Sequence, residues 1–335
     1  MGVPEPVRRL IEHQMGLLLG IDGGSTKTAA VLITDEGDVL AYAQLPGSAT
    51  GSPVSPQTAS VLASAVQLLC SQAGVSQEEI RVCGIGLCGI DFEDELPVQR
   101  EGIAAALTLP QERVVLVNDG IVALWGATAK PAATILQHGS GFTGAYRVKH
   151  GDEVLFDHLS IANTFDMRRA LVALVARMIN GMAEATPLKD KALAHFGIED
   201  EQQYCEAVYR RRIPHECMRS TPPLIFSSWL AGDPGAGQLV ESAIRDYALV
   251  AQAMVAATRI PDPDVTFGGG LLAQAPDEFW ESLACAVRES HPDVTVKPPD
   301  LPPEYGGAIM AGHRVGLDPV QLFSRLGTSA KKKEA

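Results

Sequence analysis

Residues 17–28 read LLLGIDGGSTKT, an apolar strand that runs into a glycine-rich turn, and residues 134–144, TILQHGSGFTG, have the same form. Glycines let a backbone approach phosphate oxygens closely, and successive N–H groups in a tight turn form a concave anion site. A single glycine turn is more often only a hairpin turn, but two of them predict one nucleotide gripped from both sides. The candidate phosphate-binding residues are Gly23, Gly24, Ser25, Thr26, Lys27, Gly139, Ser140 and Gly141.

The segments that follow each loop have the same predicted order, β-β-β-α-β-α-β, judged by apolar runs and helical spacing. No sequence identity links the two halves, so the repeat is one of topology only. The first half has predicted strands at 29–34, 39–44, 81–87 and 113–117, with helices at 60–70 and after Pro97. The second half has predicted strands at 144–148, 154–157, 265–268 and 294–297, with helices at 166–182, 239–258 and after Pro276.

This duplicated order resembles the sugar kinase, heat-shock ATPase and actin superfamily, and within it the N-acetylglucosamine kinase and BadF-type ATPase group. The resemblance covers about residues 16–316. VTFGGGL at 265–271 resembles the adenosine motif, which makes Gly268, Gly269 and Gly270 nucleotide-binding candidates. PEYGGA at 303–308 resembles the last connecting helix, at the hinge. The resemblance implies an α/β fold of two ribonuclease-H-like domains, an interdomain nucleotide cleft, and ATP with Mg²⁺ as cofactors.

The predicted domains follow from the same resemblance. The N-terminal domain comprises residues 15–120 plus 304–318 and carries the first phosphate loop and the acceptor side. The C-terminal domain comprises residues 121–303 and carries the second phosphate loop and the adenosine motif. Residues 1–14 and 319–335 are predicted to be terminal extensions.

Composition is that of a globular protein long enough for two domains. The 335 residues are 46% hydrophobic and 20% charged, and the formal net charge is −13. Such an acidic chain is a poor partner for nucleic acid or an anionic membrane, since either requires a basic face. No apolar run approaches the roughly 20 residues of a membrane span, and the polar N-terminus does not resemble a secretory signal. A cytoplasmic location is therefore expected.

The six cysteines include no Cys-x-x-Cys pair, and reduced thiols are the default expectation without an export signal. Some relatives of the BadF group are dehydratase activases that hold an iron–sulfur cluster between subunits. Cys83 and Cys88 would point to opposite faces of a continuous strand. A zinc or iron–sulfur site is therefore not predicted.

Two aspartates are the candidates for the chemistry. Asp119 follows the apolar run 114–117 and resembles the family's catalytic aspartate, which would accept a proton from the acceptor hydroxyl. The alternative is that Asn118 and Asp119 only cap the following helix, predicted at 121–129, because both residue types favour that position. Asp22, at the end of the first strand, is the candidate for orienting magnesium. Lys27 could reach a phosphate or be an ordinary exposed hairpin lysine.

The acceptor side departs from the pattern of N-acetylglucosamine kinases in three places. Cys88-Gly89-Ile90-Asp91 replaces a Ser-Gly-Gly-Asp segment, and residues 46–50, PGSAT, lack the family's asparagine. Residues 158–166, HLSIANTFD, replace a Gly-Asp-Glu-Gly-Ser segment, so an acidic sugar contact is missing unless Asn163 or Asp166 supplies it. The acceptor-binding candidates are Ser48, Cys88, Gly89, Asp91, Asn118 and Thr143.

Two functions remain open from the sequence. The first is an ATP-dependent sugar kinase acting on a sugar or amino sugar, with an acceptor that differs from plain N-acetylglucosamine because a lost hydroxyl contact changes specificity. The second is an ATPase or nucleotide-dependent regulator whose acceptor binding has decayed. The resemblance makes a homodimer the expected assembly.

Overall fold

A computed structural model describes residues 16–156 and 165–334 of the chain. Ten strands lie in these ranges and match the predicted strands to within a few residues. They are β1 Leu17–Gly23, β2 Lys27–Thr34, β3 Val39–Pro46, β4 Ile80–Leu87, β5 Val114–Asn118, β6 Ala133–His138, β7 Phe142–Arg147, β8 Glu153–Phe156, β9 Asp264–Gly268 and β10 Thr295–Lys297.

The helices flank and connect the strands, and none in the described part of the chain has the length and apolar character needed to cross a membrane. They are α1 Pro56–Ala73, α2 Leu96–Ala106, α3 Asp119–Ala127, α4 Met167–Ile179, α5 Pro187–His195, α6 Glu201–Tyr209, α7 His215–Arg219, α8 Pro222–Leu230, α9 Pro234–Thr258, α10 Asp277–Arg288, α11 Pro303–Arg314 and α12 Pro319–Glu334.

The strands form two five-stranded sheets with one topology. The first has the order β3-β2-β1-β4-β5 and the second the order β10-β9-β6-β7-β8, which is the same arrangement counted from the other edge. In each sheet the first two strands form an antiparallel hairpin, and the first strand also pairs in parallel with the fourth. The predicted α/β fold of two ribonuclease-H-like halves is confirmed.

The burial of each strand reflects its place in the sheet. Leu17, Leu18, Leu19 and Ile21 of the central strand β1 are fully buried because helices cover both faces of the first sheet. The edge strand β3 instead alternates, with Ala41 buried and Tyr42 40% exposed. A continuous apolar run and an alternating run are therefore the sequence signatures of a central and an edge strand here.

Helices α3 and α11 pack between the two sheets and form one apolar core with them. This core includes Leu18 from the first sheet, Ile135 from the second, Trp125 from α3 and Ile309 from α11. Trp125 is 1% exposed, so its ring serves packing. The core therefore joins the two halves of the chain.

The segment after residue 318 folds as α12 and contributes to that same core. Leu322, Phe323 and Leu326 are buried and pack in the cluster that contains α11. The apolar residues recur at helical spacing, which explains why this segment packs on the first half of the molecule.

Gly20 in β1 gives a test of how closely α11 packs on the sheet. A Cβ at this position would lie 2.0 Å from the carbonyl oxygen of Glu304 and 2.5 Å from the backbone nitrogen of Ala308. Gly20→Ala therefore forces backbone apart, and we expect a loss of about 1–3 kcal/mol or more in the free energy of unfolding, measured by urea denaturation.

The matched control is Gly51→Ala, because nothing lies within 4 Å of a Cβ at Gly51. We expect this variant to stay within about 0.5 kcal/mol of the wild type. Equal stability of the two variants would contradict the described packing of α11 against β1.

Candidate active site

The two glycine-rich loops approach each other closely. The region bordered by these loops, the end of β1 and the start of α3 is called the cleft. The hydroxyl oxygen of Ser25 in the first loop lies 2.9 Å from that of Ser140 in the second. Each loop is closed by a backbone hydrogen bond, 2.9 Å from Gly24 N to Lys27 O and 3.0 Å from Gly139 N to Gly141 O. Thr26 and Lys27 of the first loop are exposed. The structure thus brings together two backbone turns from opposite halves of the chain.

The glycine-rich turn after β9 lies directly against the base of the second loop. Gly269 has a φ of 94°, and a Cβ there would lie 2.5 Å from the carbonyl oxygen of His138. The N–H of Leu271 donates to that carbonyl over 3.1 Å. Because only glycine fits this approach and this backbone conformation, the turn formed by Gly268, Gly269 and Gly270 is held beside the second glycine-rich loop.

Asn118 and Asp119 both lie at the start of α3, where the sequence left capping and catalysis open. Asn118 is the N-cap of α3, since its Oδ1 accepts from the N–H of Gly120 over 2.8 Å. Its Nδ2 donates to Asp91 Oδ1 over 2.8 Å. Asp119 is the first residue of the helix, and its Oδ1 also accepts from Gly120 N, over 3.0 Å. Capping therefore rests mainly on Asn118.

Thr143 brings the second half of the chain to the same place. A Cβ at Gly120 would lie 2.3 Å from the methyl carbon of Thr143. The candidates Asn118, Asp119 and Thr143 therefore meet where the start of α3 approaches β7.

Carboxylates crowd this end of the cleft and perturb one another. Burial, and then the nearby charges of Asp119 and Glu304, raise the pKa of Asp22 to about 7. Burial, with a smaller contribution from the charge of Asp91, raises the pKa of Asp119 to about 6. Buried like charges favour the protonated state unless a cation compensates them. The site is therefore suited to a positive charge.

The described residues contain no group of three His, Cys, Asp or Glu side chains arranged to hold a metal ion by themselves. A magnesium ion commonly keeps several waters and is held by one or two carboxylates together with phosphate oxygens. Asp22, at the end of β1 and destabilised as an anion, fits that role. The donor set is compatible with magnesium that arrives with nucleotide phosphates.

Glu304 is a cleft residue that sequence reasoning assigned no role. It lies in the first turn of α11, is 4% exposed, and burial raises its pKa. Its backbone carbonyl covers Gly20, and Gly20 lies two residues before Asp22 on the same face of β1. The signal in the sequence was a charged residue inside an otherwise apolar and glycine-rich connecting segment.

The two turns that carry the acceptor candidates Ser48, Cys88 and Gly89 are joined by a backbone hydrogen bond and a close backbone contact. The N–H of Thr50 donates to Cys88 O over 2.8 Å, and a Cβ at Gly89 would lie 2.0 Å from Thr50 O. Ser48 is 1% exposed and its hydroxyl accepts from Thr28 Oγ1 over 2.7 Å. Ser48 therefore supports the turn from beneath, and its burial argues against the expected direct contact with an acceptor.

Cys88 stands among the carboxylates of the cleft. Burial, followed by the charges of Asp119, Asp91 and Asp22, raises the pKa of its thiol to about 11. The thiol therefore stays protonated at neutral pH, as a weak hydrogen-bond donor where the family pattern has a serine hydroxyl.

Residues 157–164, including Asn163, lie outside the described part of the chain. Asp166 lies within it and is the N-cap of α4, because its Oδ1 accepts from the backbone N–H of Arg168 over 2.9 Å. The same carboxylate pairs with the Arg168 side chain, 2.8 Å from Nη2 to Oδ2. The Asp166 carboxylate is thus occupied by Arg168. Arg168 is buried, and it was not predicted as a site residue because its partners are distant or follow no motif.

Comparison with known proteins gives the class to which this fold and cleft belong. The sequence profile of the BadF/BadG/BcrA/BcrD ATPase family matches residues 19–311. The chain belongs to this family, as the resemblance of its loops indicated.

Individual relatives and solved structures agree in length and fold. An N-acetylmuramic acid/N-acetylglucosamine kinase from Clostridium acetobutylicum is 22% identical over 304 residues, covering 89% of this chain and 98% of the relative. A candidate N-acetylglucosamine kinase structure from Chromobacterium violaceum has a TM-score of 0.68 at 21% identity, covering 89% and 99% of the two chains. A ROK family glucokinase from Streptomyces griseus, solved with glucose and AMPPNP, has a TM-score of 0.59 at 17% identity, covering 89% and 98%.

Proposed function

We propose that the protein is an ATP-dependent sugar kinase that phosphorylates a hydroxyl of a sugar or amino sugar. The observation that carries the proposal is the Asp119 carboxylate at the start of α3, beside a cleft lined by two opposed glycine loops. The family is one of ATPases, and its relative from Clostridium acetobutylicum is named as an amino-sugar kinase. These similarities support ATP as the phosphoryl donor and a carbohydrate as the acceptor.

ATP would bind with its phosphates between the two loops. The turns of Gly23, Gly24, Gly139 and Gly141 and the hydroxyls of Ser25, Thr26 and Ser140 would surround the phosphates, with Lys27 as an added point charge. The adenosine would lie near the turn of Gly268, Gly269 and Gly270, because that turn packs on the base of the second loop. Phosphoryl transfer chiefly requires such positioning and charge neutralisation.

Asp119 would act as the general base. It would take the proton of the acceptor hydroxyl as the bond from that oxygen to the γ-phosphorus forms, while the bond to the β,γ-bridging oxygen breaks and ADP leaves. The pKa near 6 leaves the carboxylate ionised at neutral pH yet more basic than an exposed aspartate. Asn118 makes the shorter bond to the N–H of Gly120, so the helix terminus does not depend on the Asp119 carboxylate, which shares that donor only through Oδ1.

Asp22 would orient magnesium, which when bound neutralises the β- and γ-phosphates. The mutual repulsion of Asp22, Asp119 and Glu304 would be relieved by that cation, which supports the assignment. Closure of the two halves would exclude water and limit wasteful hydrolysis.

The acceptor would lie against Asp91, Asn118, Cys88, Gly89 and Thr143. Asp91 and Asn118 are linked by a hydrogen bond, so they present one polar surface to the sugar hydroxyls. The protonated thiol of Cys88 is a weaker donor than a serine hydroxyl. This difference supports an acceptor that is not plain N-acetylglucosamine.

We also propose the division into an N-terminal domain of residues 15–120 plus 304–318 and a C-terminal domain of residues 121–303. The two sheets and the position of α11 against β1 support this division. A cytoplasmic homodimer that binds neither nucleic acid nor membrane is proposed on the acidic composition and the family resemblance.

Replacement of the proposed base gives a sharp test. Asp119→Asn keeps the shape of the side chain but cannot accept the proton, so we expect turnover to fall by about 100-fold or more while the Kd for MgADP stays within about threefold. Coupled ADP-release kinetics and calorimetry measure the two quantities. Asp293→Asn, at an exposed position, is the control and should retain full activity. Unchanged turnover in Asp119→Asn would remove Asp119 from the mechanism.

The pH profile tests the state of the same carboxylate. Because the pKa of Asp119 is raised to about 6, kcat at saturating MgATP and acceptor, where bound magnesium keeps Asp22 ionised, should fall below about pH 6, tenfold for each pH unit. The direction follows from the need for an ionised base, which protonation removes. Circular dichroism at each pH controls for unfolding. A flat profile between about pH 5 and 7 would contradict the assignment.

ADP release from MgATP across an acceptor panel tests the function itself. The panel contains N-acetylglucosamine, glucosamine, N-acetylmuramic acid, glucose and sugar acids, with an acceptor-free control. We expect one sugar or amino sugar to stimulate release by at least about 100-fold. ADP release that no acceptor changes would instead favour an ATPase or a nucleotide-dependent regulator.

A further inference from the structure

Arg168 places a positive charge in the interior, beneath the second phosphate loop. Its side chain is 9% exposed, whereas that of the next residue, Arg169, is 86% exposed. A buried cation is costly unless it is paired and its N–H groups are satisfied. The contacts of Arg168 must therefore offset the cost of burying its charge.

Those contacts fix the guanidinium in one orientation. Nε and Nη2 donate to the two carboxylate oxygens of Asp166 over 2.9 and 2.8 Å, a bidentate arrangement. Nη1 donates to the carbonyl oxygen of Gly139 over 2.7 Å, and Nη2 also donates to His138 Nε2 over 3.0 Å. The pairing with Asp166 thus orients the guanidinium toward His138 and Gly139, two consecutive residues at the start of the second loop.

His138 is fixed in turn from its other side. Its Nδ1 lies 2.6 Å from the hydroxyl of Tyr247 in α9, and its ring stacks on Phe142 with centroids 3.7 Å apart. Since Nε2 accepts from Arg168, the ring is neutral and Nδ1 donates to Tyr247. Both ends of the loop, His138 and Phe142, therefore rest on one buried network.

The bond to Gly139 determines where the loop points its donors. In a planar trans peptide, the carbonyl of Gly139 and the N–H of Ser140 point in opposite directions. With the carbonyl turned inward to Arg168, the N–H of Ser140 is turned outward. The Ser140 hydroxyl reaches Ser25 of the first loop, so the outward side is the one that faces the cleft.

We infer that Arg168 is a positioning residue that orients the second loop for nucleotide phosphates, so that its loss weakens binding of the phosphates and not of the nucleoside. The inference rests on the proposed function for the identity of the ligand. Arg168 acts through the loop, because its N–H groups are directed to Asp166, His138 and Gly139.

Calorimetry of MgADP, MgAMPPNP and adenosine, without acceptor, tests the inference in Arg168→Gln and Arg168→Lys. For Arg168→Gln we expect binding of both phosphate ligands to weaken by about tenfold or more, with adenosine affinity within about twofold of the wild type. Arg168→Lys should recover only part of the loss, because a point charge cannot reproduce the planar fork. Arg169→Gln is the matched control and should bind like the wild type, because Arg169 is exposed and its Nε lies 3.9 Å from Asp166 Oδ2, well beyond the bidentate bonds of Arg168.

Thermal unfolding separates positioning from general damage. If Arg168→Gln does not fold, Arg168→Lys carries the test and should still lose phosphate affinity selectively. Equal weakening of adenosine and MgADP, or unchanged affinity for all three ligands in the folded variants, would overturn the inference. Normal MgADP binding by the wild type without any active acceptor would contradict the kinase proposal alone, whereas absent MgADP binding would overturn both.

Discussion

The cleft depends on the close backbone contact between α11 and the first sheet. A Cβ at Gly20 in β1 would overlap the carbonyl of Glu304, and one at Gly84 in β4 would lie 2.0 Å from the carbonyl of Gly307. Glycines on both surfaces remove the side chains that would otherwise separate helix and strand. The first turn of α11 can therefore lie close to the end of β1, where Asp22 is found.

That approach concentrates negative charge at one end of the cleft. The pKa values of Asp22 and Asp119 rise because burial removes water while neighbouring carboxylates repel each added charge. A cation with a polyphosphate compensates this repulsion in a way that an apolar ligand cannot. Beneath the opposite loop the buried positive charge of Arg168 is balanced by Asp166, so no like charges accumulate there. The two loops thus have similar backbone turns but different charged residues around them: carboxylates near the first loop and an arginine–aspartate pair near the second.

Much of the fold was predictable because it rests on local patterns. Apolar runs such as 17–19 mark central strands, and glycine turns mark the hairpins that follow them, so the duplicated strand order was accessible from the sequence. Asp22 and Asp119 could be proposed as site residues because each ends or follows a buried strand. Ser48 stays a predicted acceptor contact, but its burial and its bond to the Thr28 hydroxyl are features that the sequence does not reveal.

The class of fold, the two glycine-rich loops and the candidate base could be read from the sequence, because they depend on short-range apolar spacing and glycine placement. Three features became visible in the folded chain alone: Asn118 rather than Asp119 serves mainly as the helix cap, Glu304 is buried with its charge acting on Asp22, and Arg168 bonds to the second loop. These roles depend on burial and on partners that the chain brings together only when α4, α9 and α11 pack against the sheets. A charged residue has the same appearance in a sequence whether it is solvated or buried, and the physical difference arises from the fold around it.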